Sequence, residues 1–165
     1  MLIFRLLRVL LLSPWYRWLV RPLLFLLPPE KAQFFAEKSL AITPAWKVYE
    51  AAIRVNREDP RCVGNDRVLQ NPVGLAAGFD KQCQYLGALA GLGFGYLVGG
   101  TVTLHPRPGN PAPRLLRRAR DESLVNSLGF PSHGLSVVAA RLERITHRAV
   151  PIYISIAAMD ELEVK

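Results

Sequence analysis

The sequence has few of the residues that form disulfide bonds or bind structural metal ions. Its 165 residues include two cysteines and three histidines, and none of them has the spacing of a zinc site or a redox pair. A disulfide scaffold is therefore disfavoured, and a reducing compartment is expected. We expect no metal site, and we interpret each histidine as a surface or hydrogen-bonded polar residue. The five side chains are Cys62, Cys83, His105, His133 and His147.

Nucleotide-binding glycine motifs are also missing. Gly91, Gly93 and Gly95 lie close together, but the pattern G-x-G-x-x-G does not occur, and these glycines precede a predicted strand instead of following one. A P-loop is absent as well. The sequence therefore does not predict a Rossmann dinucleotide site.

Long uninterrupted apolar runs are absent from the strongly apolar front of the chain. Residues 1–29 contain four arginines and no acid, although the whole chain carries a formal charge of +8. The arginines, Pro14 and Pro22 keep every apolar run below the roughly 18 to 20 residues that span a bilayer. A secretory signal or a transit peptide fits poorly, because a small-residue cleavage site and serine enrichment are missing.

Aromatic residues beside arginines indicate how this front segment is used. Trp15, Tyr16 and Trp18 flank Arg17 and precede Arg21. Rings at the headgroup level and cations on lipid phosphates are typical of an interfacial anchor. We expect residues 1–55 to lie on or dip into one leaflet. The alternative is a terminal helix packed on the core of the domain itself.

Helix signals follow and end in a polar stretch. Pro28, Pro29 and Glu30 predict the start of a helix. Pro44 interrupts it, and residues 45–55 predict another. The polar, turn-rich residues 56–66 indicate a boundary between a helical module (residues 1–58) and a second domain (residues 59–165). The apolar positions of the first helix are Ala32, Phe35, Ala36 and Leu40.

Residues 67–165 follow an alternating pattern of strands and helices. Apolar runs at 73–77, 96–103 and 150–156 predict three strands, and helices with apolar faces are predicted after Lys81 and over residues 133–147. Two short strands are predicted at 113–117 and 123–126. Strand, helix and strand at this spacing form a βαβ unit, so the three main strands should be parallel.

The stretch 71–81 (NPVGLAAGFDK) combines a buried strand with a charged end. An apolar run breaks at Gly78 and is followed by Asp80 and Lys81. Small residues allow a flat ligand to approach the backbone, and a cation at the end of a strand is typical of the rim of a barrel. A core strand followed by a polar turn would give the same pattern, so both interpretations stay open on these residues alone.

Four motifs in order carry a family resemblance. They are residues 71–81, 93–103 (GFGYLVGGTVT), 106–115 (PRPGNPAPRL) and 126–130 (NSLGF). Together with residues 26–32 (LLPPEKA), they make the sequence closely resemble the quinone-dependent, membrane-associated class of dihydroorotate dehydrogenases. The resemblance covers residues from about 20 to 156.

The resemblance implies a fold and a reaction. The fold would be an α/β structure, the first three strands or so of a TIM (β/α)₈ barrel, preceded by a small helical membrane-associated module. FMN would lie at the C-terminal mouth and accept a hydride as dihydroorotate becomes orotate, in pyrimidine (UMP) biosynthesis. A membrane quinone entering through the helical module would reoxidise the flavin. The location would be the cytoplasmic face of a bacterial cell membrane or, alternatively, the mitochondrial inner membrane.

The resemblance also implies site residues. A lysine near a flavin supplies fixed positive charge, and an asparagine offers a donor and an acceptor to a cyclic imide edge. Ser155 stands where the family usually has a flavin-contacting asparagine. The residues implied for cofactor binding are Ala77, Gly78, Phe79, Asp80, Lys81, Thr101 and Ser155, and those implied for substrate binding are Lys81, Asn126, Ser127, Leu128, Gly129 and Phe130.

The length of the chain limits what it is expected to do alone. A (β/α)₈ barrel needs roughly 250 residues, and the family's catalytic serine is expected beyond Lys165. We therefore assign no catalytic residue, and we expect an N-terminal part of the enzyme that is inactive alone. The alternatives are a non-enzymatic membrane-surface protein and a flavin barrel for another substrate class. Nucleic-acid binding is not expected, because the basic residues 114–120 lack interleaved aromatics and are interpreted as a solvated loop face.

Overall fold

The computed structural model describes residues 14–42, 63–64, 67–69, 72–145 and 150–158. A π-helical turn, Tyr16–Val20, leads into two helices, α1 (Arg21–Phe25) and α2 (Pro29–Leu40). The elements that follow are β1 (Val63–Gly64), β2 (Arg67–Val68), β3 (Gly74–Leu75), α3 (Leu86–Ala90), β4 (Tyr96–Thr103), β5 (Leu115–Arg118), β6 (Ser123–Asn126), α4 (Leu135–Glu143) and β7 (Ile152–Ala157).

A three-stranded parallel sheet, in the order β3-β4-β7, organises the second part of the chain. Gly74 pairs with Tyr96, and Leu97 pairs with Ile152. β4 is the central strand and is largely buried, which explains its continuous apolar sequence. The parallel βαβ arrangement predicted from the sequence is therefore confirmed among the described residues.

The core lies between this sheet and the helices packed on it. Leu97 and Val102 of β4 contact α3 through Leu86 and Leu89, and α4 contributes Val138. Burying a leucine side chain of this kind stabilises a fold by roughly 1.5–3 kcal/mol. The π-helical turn, α1 and α2 (residues 16–40) are called the helical element below, and they extend the cluster, because Leu40 at the end of α2 is buried in it as well.

Two antiparallel hairpins accompany the parallel sheet. β1 pairs with β2, and β5 pairs with β6 so that Leu115 lies opposite Asn126. The β5–β6 hairpin contacts α2, and the side chain of Arg117 extends to the carbonyl oxygens of Phe25 and Leu27, each at 3.3 Å. The hairpin therefore packs against the helical element.

The helical element differs from its predicted pattern. α2 begins at Pro29 as predicted, and Ala32 and Leu40 are buried, but Phe35 and Ala36 are exposed. The apolar spacing therefore predicts the helix but not the burial of each apolar position, because α2 turns only one edge toward the core. Among the described residues, no helix is long and apolar enough to cross a membrane.

Element bounds also differ in two places. β3 covers Gly74–Leu75 instead of 73–77, because the chain turns away from the sheet at Ala76 and Ala77 to form the loop described below. α4 begins at Leu135 instead of residue 133, because Gly134 has a φ of +83° that is incompatible with a helix.

Several predictions lie outside the described residues. They concern residues 1–13, the helix at 45–55, Cys62, Asn71, His147 and the tail at 160–165. The boundary predicted over 56–66 also lies mostly outside, so the division into residues 1–58 and 59–165 stays a prediction.

Candidate functional site

A loop at the C-terminal end of β3 forms the base of the candidate site. The amide of Gly78 donates to the carbonyl oxygen of Gly100 at 2.8 Å, and the amide of Gly100 donates to the carbonyl oxygen of Asp80 at 3.0 Å. These reciprocal bonds hold the loop against β4. Gly78 has a φ of +97°, and a Cβ built there would meet nothing within 4 Å, so the backbone is bare on this side.

Asp80 points into the protein and not toward an open surface. Its carboxylate is buried and accepts the backbone amides of Gln84 at 2.9 Å and Tyr85 at 2.7 Å. These bonds hold the backbone of the two residues that directly precede α3. The side chain of Asp80 is therefore occupied in shaping the loop.

Lys81 follows directly and is half-buried. Its Nζ donates to the carbonyl oxygen of Gly78, so the ammonium group lies next to the bare backbone of this glycine. Burial lowers the pKa of Lys81 from its ordinary value, and the nearby Arg114 lowers the pKa further. The nearby carboxylates of Glu37 and Asp80 raise the pKa, but their effect is smaller than that of burial, so the pKa stays lowered.

Thr101 and Ser155 lie on neighbouring parallel strands, β4 and β7. Their hydroxyl oxygens are 2.9 Å apart, and either can be the donor. The strands approach closely here, because Gly100 has no side chain and a Cβ there would lie 2.5 Å from the carbonyl oxygen of Ser155. The two predicted residues are therefore brought together as a hydroxyl pair.

The segment 126–130 begins at the last residue of β6 and is held by its backbone. The carbonyl oxygens of Ser127 and Leu128 accept from the side chain and the backbone of Asn110, at 2.9 and 3.0 Å. Gly129 and Phe130 both have positive φ values. The side chains of Asn126, Ser127 and Phe130 are exposed, so they remain available to a ligand.

One cleft of about 740 Å³ is lined by some of the residues predicted to bind the cofactor and by some of those predicted to bind the substrate. Gly78, Phe79 and Lys81 line it from the β3 loop, and Asn126 and Leu128 line it from the hairpin side. The opposite wall is the helical element, with Phe25, Pro29, Ala32, Gln33, Ala36 and Glu37. Ala77, Thr101 and Ser155 do not line this cleft, and neither do Ser127, Gly129 and Phe130.

Sequence reasoning missed the arginines of the hairpin. Arg114 and Arg117 were interpreted as part of a solvated loop face, and that interpretation was wrong for both. The guanidinium of Arg117 lies 4.2 Å from the ring centroid of Phe25, and the backbone amide of Arg114 donates to Glu30 at 2.8 Å. These partners are about 84 to 92 residues away in sequence, so local periodicity contained no signal for them.

Outside the cleft, the described residues offer neither a reactive thiol nor a metal-binding cluster. Cys83 is a free, buried thiol, and burial raises its pKa to about 11, so it is not a nucleophile at neutral pH. Within the described part of the chain, no group of three or more histidine, cysteine, aspartate or glutamate side chains could hold a metal ion.

This geometry defines a class before any comparison. The protein is an α/β fold with a parallel sheet, and one cleft beyond the strand ends contains a cation, an amide side chain and a bare glycine. This is the architecture of enzymes that bind ligands at the C-terminal edge of such sheets.

Comparison with known proteins gives the family. The family model described as dihydroorotate dehydrogenase matches residues 61–165. The chain is 42% identical to the dihydroorotate dehydrogenase (quinone) of Acidithiobacillus ferrooxidans over 143 residues, which cover 84% of this chain and 39% of that protein. It is 44% identical to the Mycobacterium tuberculosis protein of the same name, covering 84% and 40%.

A solved structure agrees with these relatives. The crystal structure of the Eimeria tenella enzyme in complex with ferulenol matches with a TM-score of 0.56 and 33% identity, covering 73% of this chain and 35% of that one. The chain belongs to the dihydroorotate dehydrogenase family. It spans about two fifths of the length of the curated relatives that it matches.

Proposed function

We propose that this chain supplies the first part of the flavin, substrate and quinone sites of a quinone-dependent dihydroorotate dehydrogenase. The observation that carries the proposal is the single cleft shared by Gly78, Lys81, Asn126 and the helical element. The family implies a flavin-dependent oxidoreductase, and we assign FMN as its flavin. The reaction is the oxidation of dihydroorotate to orotate in UMP biosynthesis, with a quinone as final acceptor.

The residues present fit a flat cofactor. Gly78 leaves a bare backbone surface where a side chain would otherwise stand, and Ala77 and Phe79 beside it are exposed. Lys81 brings a cation to the same surface. The hydroxyl pair of Thr101 and Ser155 lies two residues before the ends of the adjacent strands β4 and β7 and offers further donors and acceptors. Ala77 to Lys81, Thr101 and Ser155 would therefore hold FMN, with Asp80 acting through its backbone.

The chain's own residues divide the remaining tasks. FMN, when bound, supplies the two-electron acceptor for the hydride of dihydroorotate. Lys81 holds positive charge where negative charge develops, and its partial desolvation strengthens that interaction. Asn126 presents one donor and one acceptor to the cyclic imide edge of the substrate. The segment Ser127 to Phe130 positions that edge, and no described side chain is proposed as the catalytic base.

The helical element is proposed to admit the quinone and contact the membrane. Apolar side chains line its side of the cleft, which suits a quinone ring. Its outer surface is strongly apolar, since Trp18 and Leu26 are each 81% exposed and Trp15 and Leu23 are more than half exposed. Residues 1–55 would rest on the cytoplasmic face of a bacterial membrane, and the mitochondrial inner membrane is the alternative location.

A chimera tests this function directly. Residues 14–158 would replace the matching segment of the Acidithiobacillus ferrooxidans relative, and dihydroorotate-dependent reduction of a soluble quinone would be measured. We expect activity with the native segment, and a loss of at least 100-fold with Lys81→Ala. Lys31→Ala, an exposed lysine on α2, serves as the control and should retain activity. Equal activity of the Lys81→Ala chimera would refute the proposed role of this cleft.

A further inference from the structure

Arg114 forms hydrogen bonds with the helical element, with the loop at 106–113 and with the segment at 126–130. Its backbone amide donates to Oε1 of Glu30 on α2 at 2.8 Å, and its Nε lies 3.8 Å from the same oxygen. The side chains of Arg114 and Glu30 are only 29% and 35% exposed, so water weakens this interaction less than at an open surface.

The other end of the guanidinium holds the proline-rich loop. Nη1 of Arg114 donates to the carbonyl oxygens of Pro108 and Asn110, at 3.1 and 3.3 Å. These contacts fix the loop at Asn110. The guanidinium of arginine suits this arrangement, because it can donate to two loop carbonyls while its charge stays close to the carboxylate of Glu30.

Asn110 then fixes the segment assigned to substrate. Its backbone amide donates to Leu128 at 3.0 Å, and its side-chain amide donates to the carbonyl oxygen of Ser127 at 2.9 Å. Arg114 also contacts this segment directly, since its own carbonyl oxygen accepts the amide of Ser127 at 2.9 Å. The close approach of Gly129 to Asn110 has no room for a side chain, because a Cβ there would lie 2.5 Å from Asn110 Oδ1.

We propose that Arg114 is a positioning residue that fixes segment 126–130 to the helical element, with its backbone amide bound to Glu30 and its guanidinium bound to the loop that carries Asn110. The naming of this segment as the substrate segment rests on the proposed function, whereas the mechanical linkage does not. A ligand that moves α2 away from the hairpin would withdraw Glu30 and loosen Asn110, Ser127 and Leu128 in one step.

Amide hydrogen exchange on the full 165-residue chain, measured by NMR without any ligand, tests the linkage. Glu30→Ala should speed exchange of the amides of Arg114, Asn110 and Ser127 about tenfold or more, because a charge-assisted acceptor is lost. Glu30→Gln retains an acceptor oxygen and should restore most of the protection. The amides of Gly95 and Leu97, which donate to Val73 and Pro151 in the sheet, should not change.

Each other result overturns the proposal. Unchanged exchange in Glu30→Ala would show that Arg114 holds the segment without α2. An equal acceleration at Gly95 and Leu97 would show a general loss of stability instead of a local linkage. Unprotected loop amides in the native chain would show that the hydrogen bonds linking Arg114, Asn110 and Ser127 do not form. Because no flavin, substrate or quinone is present, failure here is distinguishable from failure of the proposed function.

Discussion

Replacing Asp80 by asparagine should loosen the loop that presents Lys81. The carboxylate is 3% exposed and accepts two backbone amides, from Gln84 at 2.9 Å and from Tyr85 at 2.7 Å. An asparagine side chain keeps one carbonyl oxygen but turns an NH₂ group toward the second amide, so that two donors face each other. The volume hardly changes, and the effect is therefore one of hydrogen bonding and charge.

The magnitude follows from these two contacts. A hydrogen bond to a charged group contributes about 1.5–3 kcal/mol, and a buried donor left without an acceptor costs about 1–3 kcal/mol. Asp80→Asn loses one such bond and the charge on the other. We expect the free energy of unfolding to fall by about 2–3 kcal/mol, and by more in Asp80→Ala, where both acceptors disappear.

Urea unfolding of the full chain, followed by far-ultraviolet circular dichroism, measures the change. Asp121→Asn is the matched control, because Asp121 makes a surface ion pair with Arg118 at 3.7 Å and both side chains are about 60% exposed. Such pairs contribute at most about 1 kcal/mol. If Asp80→Asn destabilised the chain no more than Asp121→Asn, the carboxylate would not hold the loop, and the geometry inferred for Lys81 would lose its support.

Three further predictions concern the thiol, the glycines and the helical element. Because the pKa of Cys83 is raised from 9.0 to about 11, the unfolded thiol loses its proton first, so stability should fall as pH rises from about 9 to about 11. Gly78→Ala should cost about 1 kcal/mol through its positive φ alone, whereas Gly100→Ala should cost several, because its Cβ would also clash with Ser155. Trp18→Ala should weaken flotation of the full chain with anionic liposomes about tenfold, through the lost burial of one ring.

Each of the three has a control and a contradicting result. Cys83→Ala should remove the extra loss of stability between pH 9 and 11 in urea titrations, and a parent chain without that loss would contradict the burial argument. Equal costs for Gly78→Ala and Gly100→Ala in the same assay would contradict the close approach of β4 and β7. Ile156→Ala, at an exposed apolar position of β7, should leave flotation unchanged, and equal weakening by both variants would show that Trp18 has no special contact with lipid.

The elements with local signals were predictable from the sequence. β4 has the bounds that its apolar run predicts, since a central parallel strand is buried on both faces. α2 begins at Pro29, where proline and Glu30 favour a helix start. The hairpin strand Ser123–Asn126 also lies where it was predicted. In each case the information is contained within a few consecutive residues.

The contacts between distant segments were not predictable in this way. The carboxylate of Asp80 was expected near a ligand, yet it accepts the two backbone amides that precede α3, and no residue pattern distinguishes the two orientations. Arg114 and Arg117 look like a basic surface run until α1 and α2 pack against the hairpin. Phe35 has the spacing of a buried residue but remains exposed, because burial depends on which edge of α2 meets the core.

Orotate binding to the flavin-loaded chimera reports on the shared cleft without turnover. We expect a saturable change in flavin absorbance on titration with orotate. Asn126→Ala should weaken binding by roughly tenfold or more, through the loss of a donor and an acceptor. Val125→Ala, one position earlier in β6 and outside the cleft lining, should bind as the parent does. Unchanged affinity in Asn126→Ala, with FMN retained, would contradict the assignment of this cleft to the substrate.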